Sequence, residues 1–392
     1  MLEKIKQWVD NNCASILETY HHLHAIAEVS WEERNTTAYI CRELEKMDIP
    51  FTTFEDITGV VAIWEGTNDS KGQVTNPTVG LRADLDALWQ NVDGVWKANH
   101  SCGHDAHMTM VLYTLRCLKE IGYVPKGRLK VLFQPAEETG LGANALIDKG
   151  VIDDIDTLLG IHLRPIQELS YGQASPAIYH GATTIIKGRV TGLQAHGARP
   201  HLGINVVDSL AAIIGAVNAV RMNPTIPSSA KVTNVLTGGK NYNIIPDSAE
   251  FAIDVRAQTN EAMIILLDKV KKAIQIAGSA NGAIVELEIM EPMVAAVPNP
   301  MMEEVVGQAI IEMLGEDGLI VPTQSPGAED FHNYPKRIPH LKATMVGLGT
   351  DLSPGLHHPQ MNFNLDSLQR GIEILAASTV KIFTKLNSDE GI

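Results

Sequence analysis

Basic residues are scarce in this chain, and their scarcity argues against two classes of partner. Lysine and arginine number 31 against 46 aspartates and glutamates, so the formal net charge at pH 7 is −15. Proteins that bind nucleic acids or anionic membranes need clustered positive charge to neutralise phosphates. We therefore expect neither nucleic acid nor a membrane as a partner, and expect a small-molecule substrate instead.

Long apolar runs and cysteines are also few. No window approaches the roughly 20 apolar residues of a membrane-spanning helix, and residues 1–9 hold no apolar core of signal-peptide length. The four cysteines are scattered without the spacing of a disulfide framework. These absences predict a cytoplasmic protein with reduced thiols.

The length of 392 residues exceeds the size at which one hydrophobic core usually stops growing, so two domains are expected. Strands alternate with helices in residues 1–182 and again in residues 295–392, which predicts one α/β domain with a mainly parallel sheet. Between them, residues 183–294 follow a βαββαβ order. That order predicts an inserted α+β domain of the ferredoxin-like pattern.

The first segments of the chain have clear local patterns. Apolar residues fall at helical spacing over residues 2–27. The sequence Ser-Trp-Glu-Glu at residues 30–33 has the capping-box pattern, which predicts that a second helix begins there and continues through Glu45. A polar stretch at residues 66–75 predicts a hairpin or surface loop.

The segment Ser-Cys-Gly-His-Asp-Ala-His at residues 101–107 concentrates a thiol, two imidazoles and a carboxylate. Cys102 and His104 are good ligands for a zinc-like ion. Asp105 or His107 could act as a further ligand or could orient one. A buried helix is predicted immediately afterwards, so these side chains are expected at its N-terminal entry.

Further side chains of ligand type recur at or after the ends of predicted strands. They are Asp86, Glu137, Glu138, His162, His357 and His358. The carboxyl ends of parallel strands meet at one edge of an open sheet, so these groups and residues 101–107 could bind two metal ions. A single cysteine or histidine is more often a buried neutral residue than a ligand, and the inference therefore depends on the recurrence.

The adjacent carboxylates Glu137 and Glu138 would repel each other in a dry pocket. A division of roles removes the difficulty: one carboxylate binds metal and the other accepts a proton from a metal-bound water. The alternative is a solvated acidic start of a helix, where glutamates are favoured electrostatically. The local sequence is equally compatible with both interpretations.

An ordered set of strings resembles the hallmarks of the zinc-dependent aminoacylase and carboxypeptidase superfamily. In chain order they are LRADLDAL, SCGHDAH, FQPAEETGLGANALIDKGVID, GIHL, AHGARPHLG, NIIPDSAEFAIDVRA, GAEDF and LHHP. They are most similar to the branch of bacterial amidohydrolases and N-acyl-amino-acid hydrolases, whose relatives include hippurate hydrolases and auxin-conjugate hydrolases. The resemblance covers residues from about 20 to 380.

This resemblance implies a two-domain metallohydrolase that cleaves the amide bond of N-acyl amino acids or similar small amides by attack of a metal-bound water. It implies two divalent ions (zinc, manganese, cobalt or nickel) and Glu137 as the general base. The implied metal ligands are Cys102, His104, Glu138, His162 and His357. The Cys102 thiolate would lie between the two metals, and His357 is preferred to His358 because it directly follows the leucine.

The same resemblance identifies the inserted region as a satellite domain that usually pairs two subunits, and so implies a homodimer. His196 would help stabilise the oxyanion. Asn243 and Arg256 would hold the polar or carboxylate end of the substrate, although a salt bridge at a strand edge is an equally simple explanation of Arg256. Asp86 would orient a ligand or lie behind the site.

The chain departs from the family pattern after Asp86, where Trp89 and Gln90 stand in place of the usual proline and its following residues. This departure leaves the acyl group and the leaving amine open. A dipeptidase or carboxypeptidase of the same superfamily is one alternative. A non-catalytic metal-binding protein is another, but Glu137 argues against it because a structural zinc site needs no spare base.

Overall fold

The computed structural model describes residues 1–67 and 76–388. Residues 68–75, most of the predicted loop at 66–75, lie outside the described residues. The chain divides into two compact units: the first comprises Met1–Ile178, Val297–Thr323 and Asp330–Ile392, and the second comprises Tyr179–Ala296 and Gln324–Glu329. The predicted domain boundaries, after residues 182 and 294, stay predictions.

The helices and strands are numbered in chain order. The helices are α1 Leu2–Asn11, α2 Cys13–Ala25, α3 Arg34–Lys46, α4 His104–Glu120, α5 Gly142–Asp148, α6 Val206–Ala219, α7 Asn260–Ser279, α8 Pro300–Leu314, α9 Asn333–Arg337 and α10 Ser367–Ser388. The strands are β1 Phe51–Thr53, β2 Val60–Glu65, β3 Thr78–Asp84, β4 Leu88–Val92, β5 Val95–Asn99, β6 Arg128–Gln134, β7 Thr157–Pro165, β8 Ala174–Ser175, β9 Ile178–His180, β10 Ala182–Thr191, β11 Ala195–His196, β12 Ser228–Thr237, β13 Ile244–Ile245, β14 Ser248–Ala257, β15 Ile284–Ile289, β16 Thr323–Ser325 and β17 Lys342–Leu352. In the part of the chain that the structure describes, no helix has both the length and the apolar character needed to cross a bilayer.

The first unit is built on a seven-stranded sheet of order β1-β2-β6-β3-β7-β17-β8. The four central strands, β6, β3, β7 and β17, are parallel neighbours. Antiparallel pairs flank them at both edges. The predicted α/β class with a mixed, mainly parallel sheet is confirmed, and the parallel centre brings four carboxyl ends of strands to one edge.

Helix α4 lies in the main core of the first unit and is buried along most of its length. It begins four residues before the predicted start at residue 108, because Gly103 adopts a φ of 89° and turns the chain into the helix. His104 is consequently its first residue. The ligand-rich segment therefore enters a rigid, buried helix.

Two of the predicted helical features are wrong. The helix expected over residues 2–27 is interrupted at Asn12, whose side chain donates to Trp8 O at 2.7 Å. The capping box at residues 30–33 does not form: α3 begins at Arg34, and no side chain caps it. The side chains of Ser30 and Glu33 bind other parts of the unit instead, as described below.

The second unit has a four-stranded antiparallel sheet of order β12-β14-β10-β15 with helices α6 and α7 packed against it. This is the βαββαβ arrangement that the sequence predicted. Strand β14 alternates buried and exposed side chains along most of its length, as a sheet covered on one face requires. Phe251, Ile253 and Val255 from this strand are in the core of the second unit.

Candidate metal centre

The candidate ligands all come from segments at the carboxyl edge of the parallel strands. Cys102 and His104 flank the turn into α4, and Glu138 lies in a short 3-10 turn, Glu137–Thr139, directly after β6. His162 lies within β7, and His357 is in the loop that follows β17. The sheet topology thus explains why residues so distant in sequence converge.

The distances between these side chains show a single cluster. Cys102 Sγ is 3.6 Å from His162 Nε2. Glu138 Oε1 lies 3.4 Å from His357 Nε2 and 3.9 Å from His104 Nε2. Cys102 belongs to two of the groups whose ligand atoms all lie within 4.8 Å of one another, one with His104 and His162 and one with Glu138 and His357. A ligand that lies between two metal ions is expected to belong to both groups, as Cys102 does.

The cluster fits divalent cations on its own chemistry. Buried His104 Nε2 and Glu138 Oε1 have no hydrogen-bond partner among the described residues, although buried polar atoms almost always have one. Two ligand atoms bonded tetrahedrally to one zinc ion lie about 3.3 Å apart, close to the separations above. Nitrogen, sulfur and carboxylate ligands of this kind suit zinc and other first-row metals.

Both buried histidines are oriented by backbone carbonyls. His104 Nδ1 is 2.8 Å from Asp86 O, and His162 Nδ1 is 2.7 Å from Leu163 O. Because a carbonyl oxygen can only accept a hydrogen bond, each Nδ1 donates and the Nε2 lone pair is directed into the cluster. This is how metal-binding histidines are usually held.

The cluster holds protons when it holds no cation. Burial and the neighbouring charge of Glu138 raise the pKa of the Cys102 thiol. The close approach of Cys102 and Glu138 raises the pKa of His357 to about 10. Since a bound cation favours the thiolate and the neutral imidazole, metal binding must displace these protons.

We therefore expect metal binding to release protons near neutral pH, and the affinity to rise with pH. Cys102, His104 and His357 are the groups that deprotonate, because the pKa of each is raised in the protein. The measurement is titration calorimetry with Mn²⁺ or Zn²⁺ in two buffers of different ionisation enthalpy, where the observed heat should depend on the buffer. A heat that is the same in both buffers would contradict this proton balance.

Asp86 lies directly behind the two glutamates. Its Oδ1 accepts from Glu137 N and its Oδ2 from Glu138 N, each at 3.0 Å. Its Oδ2 also accepts from Ser30 Oγ at 2.6 Å. Burial raises the pKa of Asp86, but hydrogen bonds from His104 and Ser30 reverse the effect and leave it lowered. Asp86 therefore remains an anion that fixes the backbone of the carboxylate pair, in keeping with the supporting role predicted for it.

Asp105 and His107 bind neighbouring protein groups. Asp105 Oδ2 lies 2.7 Å from His24 Nδ1. His107 Nδ1 lies 2.8 Å from Asp84 Oδ1, and its Nε2 accepts from Leu163 N at 3.1 Å. The second contact fixes the backbone beside His162, so His107 supports a candidate ligand from behind.

His357, and not His358, points into the cluster. His357 has a φ of 63°, which a residue with a side chain rarely adopts, and its N donates to Ser101 O at 2.8 Å. Its carbonyl accepts from Gln90 Nε2 at 2.8 Å. The exposed His358 instead accepts from Gln360 N through its Nδ1. Sequence reasoning noticed Gln90 only as a departure from a pattern and missed this contact.

Substituting Gln90→Leu should weaken the binding of one metal ion by about 10-fold, as losses of outer contacts to ligands commonly do. The substitution removes the donor that holds the strained loop of His357, while leaving every ligand in place. The matched control is Lys97→Leu, which introduces the same side chain at the position paired with Gln90 across the β4–β5 hairpin. Mn²⁺ titration of both variants would decide, and equal affinities would contradict the expectation.

Three predicted site residues belong to the second unit. Exposed His196 accepts from Ala198 N through Nδ1 at 3.0 Å, so its Nε2 carries the proton in the neutral ring. Asn243 lies close by, since its carbonyl accepts from Gly197 N at 2.7 Å. Arg256 pairs with Asp254 at 2.8 Å and donates to a backbone carbonyl, which is the salt bridge considered as the alternative. Their predicted roles toward a substrate stay predictions.

The chain is similar to known proteins in sequence and in fold. The chain is 27% identical over 387 residues to "IAA-amino acid hydrolase ILR1-like 4" of Arabidopsis thaliana, covering 93% of this chain and 85% of that protein. It is 28% identical over 388 residues to the N-acetyl-L-cysteine deacetylase of Bacillus subtilis (strain 168), covering 94% and 88%. A Bacillus subtilis crystal structure described as a dinuclear metal binding peptidase superposes with a TM-score of 0.81 at 24% identity, covering 96% of this chain and 99% of that one.

The family itself is established by a sequence model of the whole family. The sequence model of Peptidase family M20/M25/M40 matches residues 80–380, which include every candidate ligand and all three predicted residues of the second unit. This confirms the resemblance inferred from the ordered strings and the predicted class of amide-bond hydrolase. The chain belongs to Peptidase family M20/M25/M40.

Proposed function

We propose that the protein is a hydrolase with two divalent metal ions that cleaves the amide bond of N-acyl amino acids or similar small amides. The observation that carries the proposal is a buried carboxylate, Glu137, that is not among the predicted metal ligands. Glu137 is only 5% exposed, and its Oε2 lies 3.8 Å from His104 Nε2. The names of the Arabidopsis and Bacillus relatives, which describe an amino-acid-conjugate hydrolase and a deacetylase, support this substrate class.

The reaction needs a base that first takes a proton and later returns it. Glu137 accepts a proton from the water that attacks the acyl carbon, and it delivers that proton to the amine nitrogen as the C–N bond breaks. Divalent ions held by Cys102, His104, Glu138, His162 and His357 would polarise the carbonyl and make water more acidic. Asp86 holds Glu137 N and Glu138 N, so the carboxylates keep separate directions and separate roles.

The second unit would supply groups for the substrate. His196, protonated on Nε2, has the donor that an oxyanion requires, and such a donor is worth about 3–4 kcal/mol when it is preorganised. Asn243 and Arg256 are proposed to bind the polar or carboxylate end of the leaving amino acid. For Arg256 this requires exchange of its Asp254 partner for the substrate carboxylate.

The test is an activity screen of metal-free protein supplied separately with zinc, manganese, cobalt or nickel. The substrates are N-acetyl and N-benzoyl amino acids, with unblocked dipeptides in parallel. We expect hydrolysis of the acylated amino acids to exceed that of the dipeptides. The reverse preference would favour a dipeptidase of the same family, and no hydrolysis with any metal would refute the proposal.

The homodimer predicted through the inserted region is also a proposal. Strand β12 is at the edge of its sheet, and its Leu236 is 61% exposed. On α7, Ile264 is 68% and Ile265 is 50% exposed. Among the described residues the outer edge of β12 pairs with no other strand, and such an edge in a unit with exposed apolar side chains suits pairing with a second copy. Light scattering should give twice the chain mass, and Leu236→Lys should give a monomer.

The cytoplasmic location stays a prediction.

A further inference from the structure

The segment of residues 28–33, in which the capping box was predicted, packs beside the candidate site. Ala87 N donates to Glu28 O at 2.8 Å, and Val29 and Ala87 form an isolated parallel bridge. Trp31 has a φ of 70°, so the segment turns sharply before α3 begins. From this segment Ser30 reaches Asp86 in the loop that follows β3, and Glu33 reaches Ala136 in the loop that follows β6.

Glu33 is the buried carboxylate of this segment. It is 0% exposed; its Oε1 accepts from Ala136 N at 2.8 Å and its Oε2 accepts from Thr58 Oγ1 at 2.5 Å. Ala136 has a φ of 52°, a conformation that costs free energy for a residue with a side chain and persists only when its surroundings hold it. Glu33 holds Ala136 through this hydrogen bond, and Ala136 directly precedes Glu137.

Ser30 acts through the second carboxylate behind the turn. Its Oγ donates to Asp86 Oδ2, and the two oxygens of Asp86 accept from Glu137 N and Glu138 N. The three consecutive N–H groups of residues 136–138 are therefore all bound by buried carboxylates. The segment supplies one of these carboxylates and fixes the other.

We propose that Glu33 and Ser30 are positioning residues for Glu137, and that they fix the backbone turn from which this base projects. The inference rests on the proposed hydrolase function. Neither side chain needs to touch the substrate, so their loss should reduce kcat and leave KM nearly unchanged. A displacement of about 1 Å in such a site can lower a rate about 100-fold, which makes the contact with Ala136 consequential.

The test compares Glu33→Leu, Glu33→Gln and Ser30→Ala with the unmodified chain, using the best substrate of the screen. Glu33→Leu removes the acceptor for Ala136 N. Glu33→Gln keeps it, because its amide oxygen can accept from Ala136 N while its amide nitrogen faces the hydroxyl of Thr58. The matched control is Glu32→Gln, since Glu32 is exposed and adjacent.

We expect kcat to fall about 10- to 100-fold in Glu33→Leu, with two metal ions still bound and KM within a factor of about three. Glu33→Gln should recover most of the loss, Ser30→Ala should lose less than Glu33→Leu, and Glu32→Gln should equal the unmodified chain. An unchanged kcat in Glu33→Leu would overturn the proposal. So would equal losses in the leucine and glutamine variants, or a loss fully explained by missing metal.

Amide hydrogen exchange separates this inference from the proposed function. Peptides covering residues 133–138 should exchange faster in Glu33→Leu than in the unmodified chain, with no change in the sheet elsewhere. If the unmodified chain cleaves no amide, the proposed function fails and the role assigned to Glu33 in catalysis fails with it. If amides are cleaved but exchange in residues 133–138 is unchanged, only the positioning role is overturned.

Discussion

Glu137→Gln should reduce hydrolysis of N-acyl amino acids by about 100- to 10,000-fold while leaving the metal content unchanged. Glutamine has nearly the shape of glutamate, so the 3-10 turn and the hydrogen bond from Glu137 N to Asp86 persist. The amide cannot accept the proton of the attacking water. Elemental analysis and steady-state kinetics on the same preparation measure both quantities.

The adjacent carboxylate provides the matched comparison. Glu138→Gln is expected to lose metal as well as activity, because Glu138 Oε1 is the atom that approaches both His104 and His357. The two substitutions would then have different effects: Glu137→Gln would lose activity alone, whereas Glu138→Gln would lose metal as well. Turnover near that of the unmodified chain in Glu137→Gln would show that the base lies elsewhere.

Most helices and strands could be predicted from the sequence because their signals are local. Apolar spacing and β-branched runs predicted the alternation of strands and helices in the first unit, and the βαββαβ order of the inserted region was predicted from the same signals. The interruption at Asn12 was missed, since apolar spacing continues across it. Periodicity shows which face of a segment is buried, but it does not show whether one hydrogen-bonded helix spans that segment.

The capping box shows where local reasoning fails. Ser30 and Glu33 have the correct residue types at the correct spacing, and in an isolated helix each would satisfy an N–H group at the start of that helix. In the folded unit both find stronger partners: Ser30 binds Asp86, and Glu33 binds Ala136 N. These partners lie 56 and 103 residues away in sequence. No local pattern indicates such contacts.

The candidate ligands were predictable for a different reason. Each was predicted at the end of a strand or in the loop after it, and parallel strands bring those ends together. The structure departs from this only in detail: His162 lies within β7 and His104 is the first residue of α4. Gln90 could not be found in this way, because its role depends on a hairpin that packs against the loop of His357. Direct ligands are thus indicated by residue type and topology, whereas the groups that hold them depend on tertiary contacts.

Cys102→Ala should lower the metal content from two ions toward one or none and reduce activity at least about 100-fold. Cys102 is common to the group with His104 and His162 and the group with Glu138 and His357, so its removal affects both candidate metal positions. The substitution also removes the neighbouring group that contributes most to the raised pKa of His357, and the proton release on metal binding should decrease.

The control is Cys117→Ala, which removes a buried thiol from α4 that belongs to none of the ligand groups found among the described residues. Metal content after dialysis and the thermal shift on adding Mn²⁺ are the measurements. A ligand at 100 times its Kd stabilises the folded state by about 2.7 kcal/mol, so the unmodified chain and Cys117→Ala should show a shift that Cys102→Ala lacks. Two tightly held ions in Cys102→Ala would show that the carboxylate and imidazole groups suffice, and that the thiolate does not bridge the metals.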